Sequence, residues 1–169
     1  KTPMIEHLIR LLQSNYKLAT LSRGYGRTTK GIRIASAADN ASTLGDEPYQ
    51  FYTKFGSAIT VAVGEERALA IPTILQERPD TQIILLDDGF QHRRVQPGFS
   101  ILLTDYNKPF YNDFLLPSGR LRESRWNARR ADVIVVTKCP EEISADEMIT
   151  IEKCIRNYAM KPVFFRTIR

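Results

Sequence analysis

Short apolar runs recur along the chain at 17–21, 59–63, 82–86, 100–104, 132–137 and 162–166, and most are rich in β-branched residues. Runs of this length and kind read as strands, and near-continuous apolar character marks strands buried on both faces. Between them the apolar spacing turns helical, first over 3–14, where Ile5, Leu8, Ile9 and Leu12 share one face, then over 48–55, 65–77 and 144–159. Pro3 falls in the first turn of the first helix, where a missing N–H costs nothing, and Pro79 and Pro162 close two of the helices. Strand and helix alternating in this way predict an α/β fold: a doubly wound, mainly parallel sheet with helices on both faces. No repeat or Pro/Gly/Ser linker divides the chain, so residues 1–169 are expected to form a single domain.

In such a sheet, ligands bind outside the carboxyl ends of the strands, so the residues that follow each apolar run carry most of the chemical interest. The run 82–86 delivers Asp87-Asp88-Gly89 to its tip. This resembles a Walker B element, whose carboxylate holds Mg²⁺ directly or through water, although a plain Asp-Gly turn accounts for the same residues. Lys1-Thr2 stands before the first helix as the Lys-[Ser/Thr] of a phosphate-binding loop does, with the lysine for β- and γ-phosphates and the hydroxyl for Mg²⁺. Alone the dipeptide is an ordinary helix start; its meaning comes from preceding an Asp-Asp strand tip, which is the order of the two nucleotide motifs in P-loop proteins.

Leu44-Gly45-Asp46-Glu47-Pro48 sets two acids at a helix entrance, with Pro48 opening the helix and biasing Glu47 away from helical angles. The acids either cap that helix or supply a base for an alcohol and a ligand for a metal. After the first strand, Ser22-Arg23-Gly24-Tyr25-Gly26-Arg27 carries two glycines that permit unusual backbone angles. Thr137-Lys138, after the run 132–137, occupies the place where related P-loop proteins read the base. His92 is either a phosphate contact or a structural residue, and His7 is expected on the surface.

A chain of 169 residues that is 43% hydrophobic can bury a sizeable core. Its formal charge of +5 and pI near 9.3 favour anionic partners: phosphates, acidic lipid headgroups or nucleic acid. A basic, non-catalytic nucleic-acid-binding module is an alternative that would explain the pI, yet no signature of such a module accompanies the charge and no nucleic-acid partner is expected. No membrane span or signal peptide is present in these residues, so the chain is expected to be soluble as it stands. Cys139 and Cys154 read as reduced thiols. Arg120, Arg122, Arg125, Arg129 and Arg130 cluster around Trp126, either as a solvated surface or as a dock for a phosphate or an anionic lipid.

Taken together, Lys1-Thr2-Pro3, the Ser22–Arg27 loop, Gly45-Asp46-Glu47-Pro48, Asp87-Asp88-Gly89-Phe90-Gln91-His92-Arg93-Arg94, Leu116-Pro117-Ser118-Gly119-Arg120-Leu121-Arg122-Glu123 and Val136-Thr137-Lys138-Cys139-Pro140 resemble tetraacyldisaccharide 4'-kinases in order and spacing, across essentially the whole chain. The resemblance implies a P-loop NTPase-like fold and transfer of the ATP γ-phosphate to the 4'-hydroxyl of a tetraacylated glucosamine disaccharide 1-phosphate. It implies a peripheral enzyme on the cytoplasmic face of the bacterial inner membrane, meeting an anionic surface and needing no obligate protein partner. Lys1 would touch the β/γ-phosphates; Thr2, Glu47 and Gln91 would contact Mg²⁺; Asp46 would be the base, with Asp87 and Asp88 orienting metal water or Asp46. Thr137 and Lys138 would read the base, and Arg23, Tyr25, His92, Arg120, Arg122 and Glu123 would meet the acceptor. The glycines of the phosphate loop, a membrane-associating segment and a second lobe belong to the family pattern but not to these residues. The chain is therefore expected to be the central part of a catalytic domain, able to fold but turning over little or no ATP by itself. A P-loop GTPase or metallochaperone is the nearest alternative, but Cys139-Pro140 stands where such proteins place an acid after the lysine.

Overall fold

In chain order the elements are α1 (Thr2–Leu12), β1 (Leu18–Ser22), β2 (Arg33–Ile34), α2 (Ala41–Leu44), α3 (Asp46–Phe55), β3 (Ile59–Val63), α4 (Arg67–Glu77), β4 (Ile83–Leu86), β5 (Ile101–Asp105), β6 (Val133–Thr137), α5 (Ala145–Arg156) and β7 (Val163–Arg166). They are taken from a computed structural model, which describes residues 1–167. All six expected strands form within one residue of their predicted bounds. The four expected helices also form, and α3 begins two residues earlier than predicted, so Glu47 is helical after all. A proline at the third helical position lacks an N–H that has no partner within the helix in any case, which frees Pro48 from having to start it.

The described residues divide into two compact units, Lys1–Gln96 and Pro97–Arg169, each with its own sheet. In the first, β1 lies between β3 and β4 and is parallel to both, with Leu18 opposite Ile59 and Ile83. The short β2 pairs antiparallel at the outer edge of β3. Side chains alternate across the strands, and each face finds its own cover. Leu18, Ile59 and Val61 pack with Ile5 and Ile9 of α1 and Phe51 of α3. Ala19, Leu21 and Ala62 turn the other way, onto Ala70 and Ile74 of α4. Helices therefore flank both faces, as the apolar pattern requires. Pro72 sits inside α4 without ending it.

Buried polar groups tie this unit together. Glu6 accepts hydrogen bonds from Lys54 Nζ at 2.6 Å and Gln50 Nε2 at 3.0 Å, joining α1 to α3. The side chain of Asp39 is fully enclosed and accepts from Arg33 Nε at 2.5 Å, Thr43 Oγ1 at 2.8 Å, and Ser36 through both its amide at 3.0 Å and its hydroxyl at 2.9 Å. Neither Asp39 nor the short α2 that it anchors is visible in the apolar pattern, because both depend on polar contacts. In the second unit, β6 lies between β5 and β7 and all three run parallel. Cys139 is buried, Cys154 is half-buried, and both are free thiols.

Burial alone raises the Asp39 pKa, but the hydrogen bonds from Arg33, Thr43 and Ser36 outweigh it and hold the carboxyl at about 2. A carboxyl depressed in the folded state contributes stability that is complete above its ordinary value of 3.8 and is lost as pH falls towards 2. The wild-type chain should thus exceed Asp39→Asn in stability by roughly 2 kcal/mol at pH 6. Denaturant melts at successive pH values should show that difference shrinking between pH 4 and pH 2, and a pH-independent difference would show that the charge of Asp39 contributes nothing.

Candidate functional site

Parallel pairing places the carboxyl ends of β1, β3 and β4 along one edge of the first sheet, and the polar residues beyond those ends meet there. Asp87 extends the ladder from β4, its N–H donating to Leu21 O at 3.0 Å. The next residue, Asp88, turns the chain with φ 51, a left-handed conformation that aspartate tolerates better than most residues. Asp87 is thereby held inside, only 5% exposed, while Asp88 faces outward and pairs with Lys1 Nζ. Thr2, in the first turn of α1, donates its hydroxyl to Glu47 Oε1 at 2.5 Å. Four of the residues expected at a nucleotide site are thus joined in two direct contacts, Lys1 to Asp88 and Thr2 to Glu47.

A second close approach fixes the acids. Gly24 and Gly45 both have positive φ, at 72° and 92°. A Cβ on Gly45 would lie 2.9 Å from Tyr25 O, and one on Gly24 would lie 2.7 Å from Leu44 O, so only glycine lets these two loops touch. The contact holds the entrance of α3 against the loop after β1. Asp46 and Glu47 occupy that entrance, and neither side chain caps the helix, whose N-cap is Gly45. That removes capping as the explanation for the paired acids. Asp46 is exposed.

Charge is concentrated at this edge. Burial pushes the Asp87 pKa up, the neighbouring carboxylates Glu47 and Asp88 push it further, and Lys1 draws it back. Arg67, at the start of α4, is only 2% exposed, with one guanidinium nitrogen donating to Gly64 O and the Nε without a hydrogen-bond partner. Its burial and the charge of Arg23 lower its pKa, while Asp87, Asp88 and Glu65 raise it. The His92 pKa is lowered by burial and then by Arg67 and Arg23, with Asp88 opposing them. Arg67 was not among the residues expected from the sequence. Its signal was present, however: it stands just beyond the carboxyl end of the 59–63 run, the class of position given most weight.

Other expected residues are less engaged. Gln91 is exposed in the turn after Asp88 and makes no hydrogen bond to Thr2 or Glu47. Arg23 is exposed, and Tyr25, 94% exposed, stands at the tip of its turn. Among the described residues, no group of three or more His, Cys, Asp or Glu is arranged to hold a metal ion by itself. A hydroxyl and a carboxylate in contact suit Mg²⁺ instead, which takes one or two protein oxygens and completes its shell with water and phosphate oxygens.

In the second unit, Thr137 ends β6 and Lys138 follows it. Thr137 is buried and donates to Thr104 O at 3.1 Å; Lys138, with φ 58, reaches Asp105 Oδ2 at 2.7 Å. That bond lowers the Asp105 pKa. Asp105, at the end of the 100–104 run, is a second position that the strand-tip rule singles out and that was not among the candidates. Arg120 forks onto Asp113, Nε and Nη2 each 3.0 Å from Oδ2. Glu123 accepts from Asn127 at 2.7 Å and Arg130 at 2.5 Å, and Arg122 is exposed.

A family profile described as Tetraacyldisaccharide-1-P 4'-kinase matches residues 1–166. The tetraacyldisaccharide 4'-kinase of Flavobacterium psychrophilum is 53% identical across 99% of this chain and 49% of its own length. That of Bacteroides thetaiotaomicron is 47% identical across the whole chain and 44% of its own length. The chain thus spans about half the length of the curated relatives it matches. Among solved structures, LpxK from Aquifex aeolicus, crystallised with ATP, superposes with a TM-score of 0.71 at 26% identity, over 99% of this chain and 66% of that one. The P-loop kinase fold read from the sequence is therefore the fold observed, and the chain belongs to the tetraacyldisaccharide-1-P 4'-kinase family.

Proposed function

We propose that the protein containing this chain transfers the γ-phosphate of ATP to the 4'-hydroxyl of a tetraacylated glucosamine disaccharide 1-phosphate, a step in building lipid A. The observation that carries this reading is the convergence of Lys1, Thr2, Glu47, Asp87 and Asp88 at one sheet edge, in a family named for that kinase. Residues 1–169 would belong to one catalytic domain.

The chemistry assigns different work to each group. Lys1, a flexible cation at the head of α1, would attract the β- and γ-phosphates, with Asp88 holding its ammonium in the meantime. Thr2 and Glu47 would hold Mg²⁺, their oxygens already 2.5 Å apart, with Gln91 as a further candidate contact. A bound Mg²⁺ would neutralise phosphate charge. Glu47 is engaged by Thr2, Asp88 by Lys1, and Asp87 is enclosed, whereas Asp46 faces solvent at the entrance of α3. Asp46 is therefore the acid suited to take the proton of an incoming sugar hydroxyl. Asp87 would orient it, and Arg67 would balance the acids from beneath. Arg23, Tyr25 and His92 would meet the acceptor from the loops after β1 and β4. The family resemblance further makes Arg120, Arg122 and Glu123 acceptor candidates, and Thr137 and Lys138 candidates for contact with the nucleotide base. The formal charge of +5 and a lipid acceptor support peripheral work at an anionic membrane surface, on the cytoplasmic face of the bacterial inner membrane. Among the described residues, no helix is long and apolar enough to cross a membrane.

In a kinase of full family length carrying these residues, Asp46→Asn should lower kcat by about 10²–10⁴ while leaving the Kd for ATP nearly unchanged. Near-normal turnover of the lipid acceptor would place the base elsewhere. Glu47→Gln should move the Mg²⁺ titration of activity to higher concentration, and an unchanged titration would remove Glu47 from the metal's surroundings.

Asp87 tests the site from the side of stability. A carboxyl whose pKa is raised by folding favours the folded state fully below its ordinary value of 3.8, and that contribution is lost as pH rises through the folded pKa. Asp87→Asn should thus raise Tm at pH 7, lose that advantage below about pH 4, and still depress turnover. A variant that is less stable at every pH would mean that Asp87 is a structural hydrogen-bonding residue.

A further inference from the structure

The loop at 113–121 presents large apolar side chains to solvent on a well-braced backbone. Phe114, Leu115, Leu116 and Trp126 are 62%, 51%, 61% and 55% exposed. With Arg125 and Tyr158 they line a groove of about 540 Å³ in the second unit. Exposure on this scale is uncommon unless something covers it. The loop is not loose. Leu116 N–H donates to Leu121 O at 2.9 Å, Leu121 N–H to Phe114 O at 2.9 Å, and Gly119 N–H to Leu115 O at 3.0 Å. Gly119 is needed for this closure, since a Cβ there would fall 2.2 Å from Phe114 O. Asp113 accepts from the Arg120 backbone at 3.1 Å as well as from its guanidinium, which locks the base of the loop.

The opposite wall is equally fixed. Arg125 donates to Asp113 O at 2.8 Å and lies over the Phe114 ring, 5.1 Å from its centroid. The Trp126 and Tyr158 rings pack 5.1 Å apart. Around the groove, residues 120–130 contain five arginines against one glutamate, and Arg122 and Arg129 are exposed. Exposed Leu and Phe beside an amphipathic Trp, rimmed by arginine, is the chemistry of a surface that sits in the headgroup region of a lipid layer. Two copies of the chain, each of formal charge +5, would instead repel through an arginine-rimmed face.

We propose that the Phe114–Leu116 loop and Trp126 form a preformed docking surface that enters the interface of an anionic bilayer. This deepens the proposed membrane association by naming its contact. Phe114, Leu115 and Leu116 enter the acyl boundary, Trp126 stays at headgroup level, and Arg122 and Arg129 meet anionic headgroups.

Trp126 is the only tryptophan in the sequence, so its fluorescence reports on this surface directly. The 169-residue chain should be titrated with vesicles of phosphatidylglycerol and phosphatidylcholine, and with phosphatidylcholine alone, with and without bromine on the acyl chains. The expected result is a blue shift of emission and quenching by brominated lipid on the anionic vesicles only. Leu115→Asp with Leu116→Asp should abolish both, with the far-ultraviolet circular dichroism and melting curve kept. Arg122→Gln with Arg129→Gln should weaken vesicle affinity by about ten- to thirty-fold. Salt-sensitive vesicle binding that survives the double Leu→Asp change would overturn this surface while sparing membrane association. No vesicle binding even at low salt would overturn both. A blue shift with a soluble short-chain lipid but none with vesicles would make the groove a single-chain pocket, and a concentration-dependent dimer lost in the Leu→Asp variant would make it a self-association face; either result overturns bilayer docking.

Discussion

Most of what this chain places at its candidate active site depends on the parallel pairing of β1 with β3 and β4. Three strands hydrogen-bonded in the same direction must end along the same edge, and each end is followed at once by polar residues. An antiparallel partner in either position would have sent one of those segments to the far side. The loop after β1 carries Arg23, the start of α4 after β3 carries Arg67, and the turn after β4 carries Asp87 and Asp88. Pairing of Arg33–Ile34 against β3 caps the outer edge without disturbing this arrangement.

That convergence collects charges that would be unfavourable at random. Asp87 is buried beside two further carboxylates, and Arg67 is buried beside another arginine. Lys1 and the acids offset one another in part, but the Asp87 carboxyl remains raised and the Arg67 Nε remains without a partner. Asp39 shows that the same fold can satisfy a buried carboxylate completely when only structure is at stake. An unbalanced acid at a strand tip, in the same unit as a fully balanced one, is the pattern of a site arranged to receive further charge.

The second unit balances its charges differently. Asp105 with Lys138, Asp113 with Arg120, and Glu123 with Arg130 are paired at normal contact distances. These pairs are partly exposed, so each contributes little to stability. Their effect is positional: they fix the backbone of the loops that carry them, which is how a cluster of exposed apolar side chains around Trp126 can be held in one shape.

Strand positions were legible in the sequence because β-branched apolar runs have few other uses, and all six fall within a residue of expectation. Asp87 and Asp88 were legible because strand tips in a parallel sheet face ligands, and Lys1, Thr2 and Glu47 because they sit in helix-entrance motifs. The sequence by itself therefore determined the fold class, the two-sided cover of the first sheet and the identity of Lys1, Thr2, Glu47, Asp87 and Asp88 as candidates. It did not determine that Lys1 meets Asp88 while Thr2 meets Glu47, since those contacts join residues 87 and 45 positions apart. Nor did it determine the division into two units with separate sheets, the burial of Arg67, or the Asp39 network. The Asp39 and Arg67 hydrogen bonds join residues only two to six positions apart, yet only tertiary packing decides whether a polar side chain meets water, a backbone carbonyl or an opposite charge.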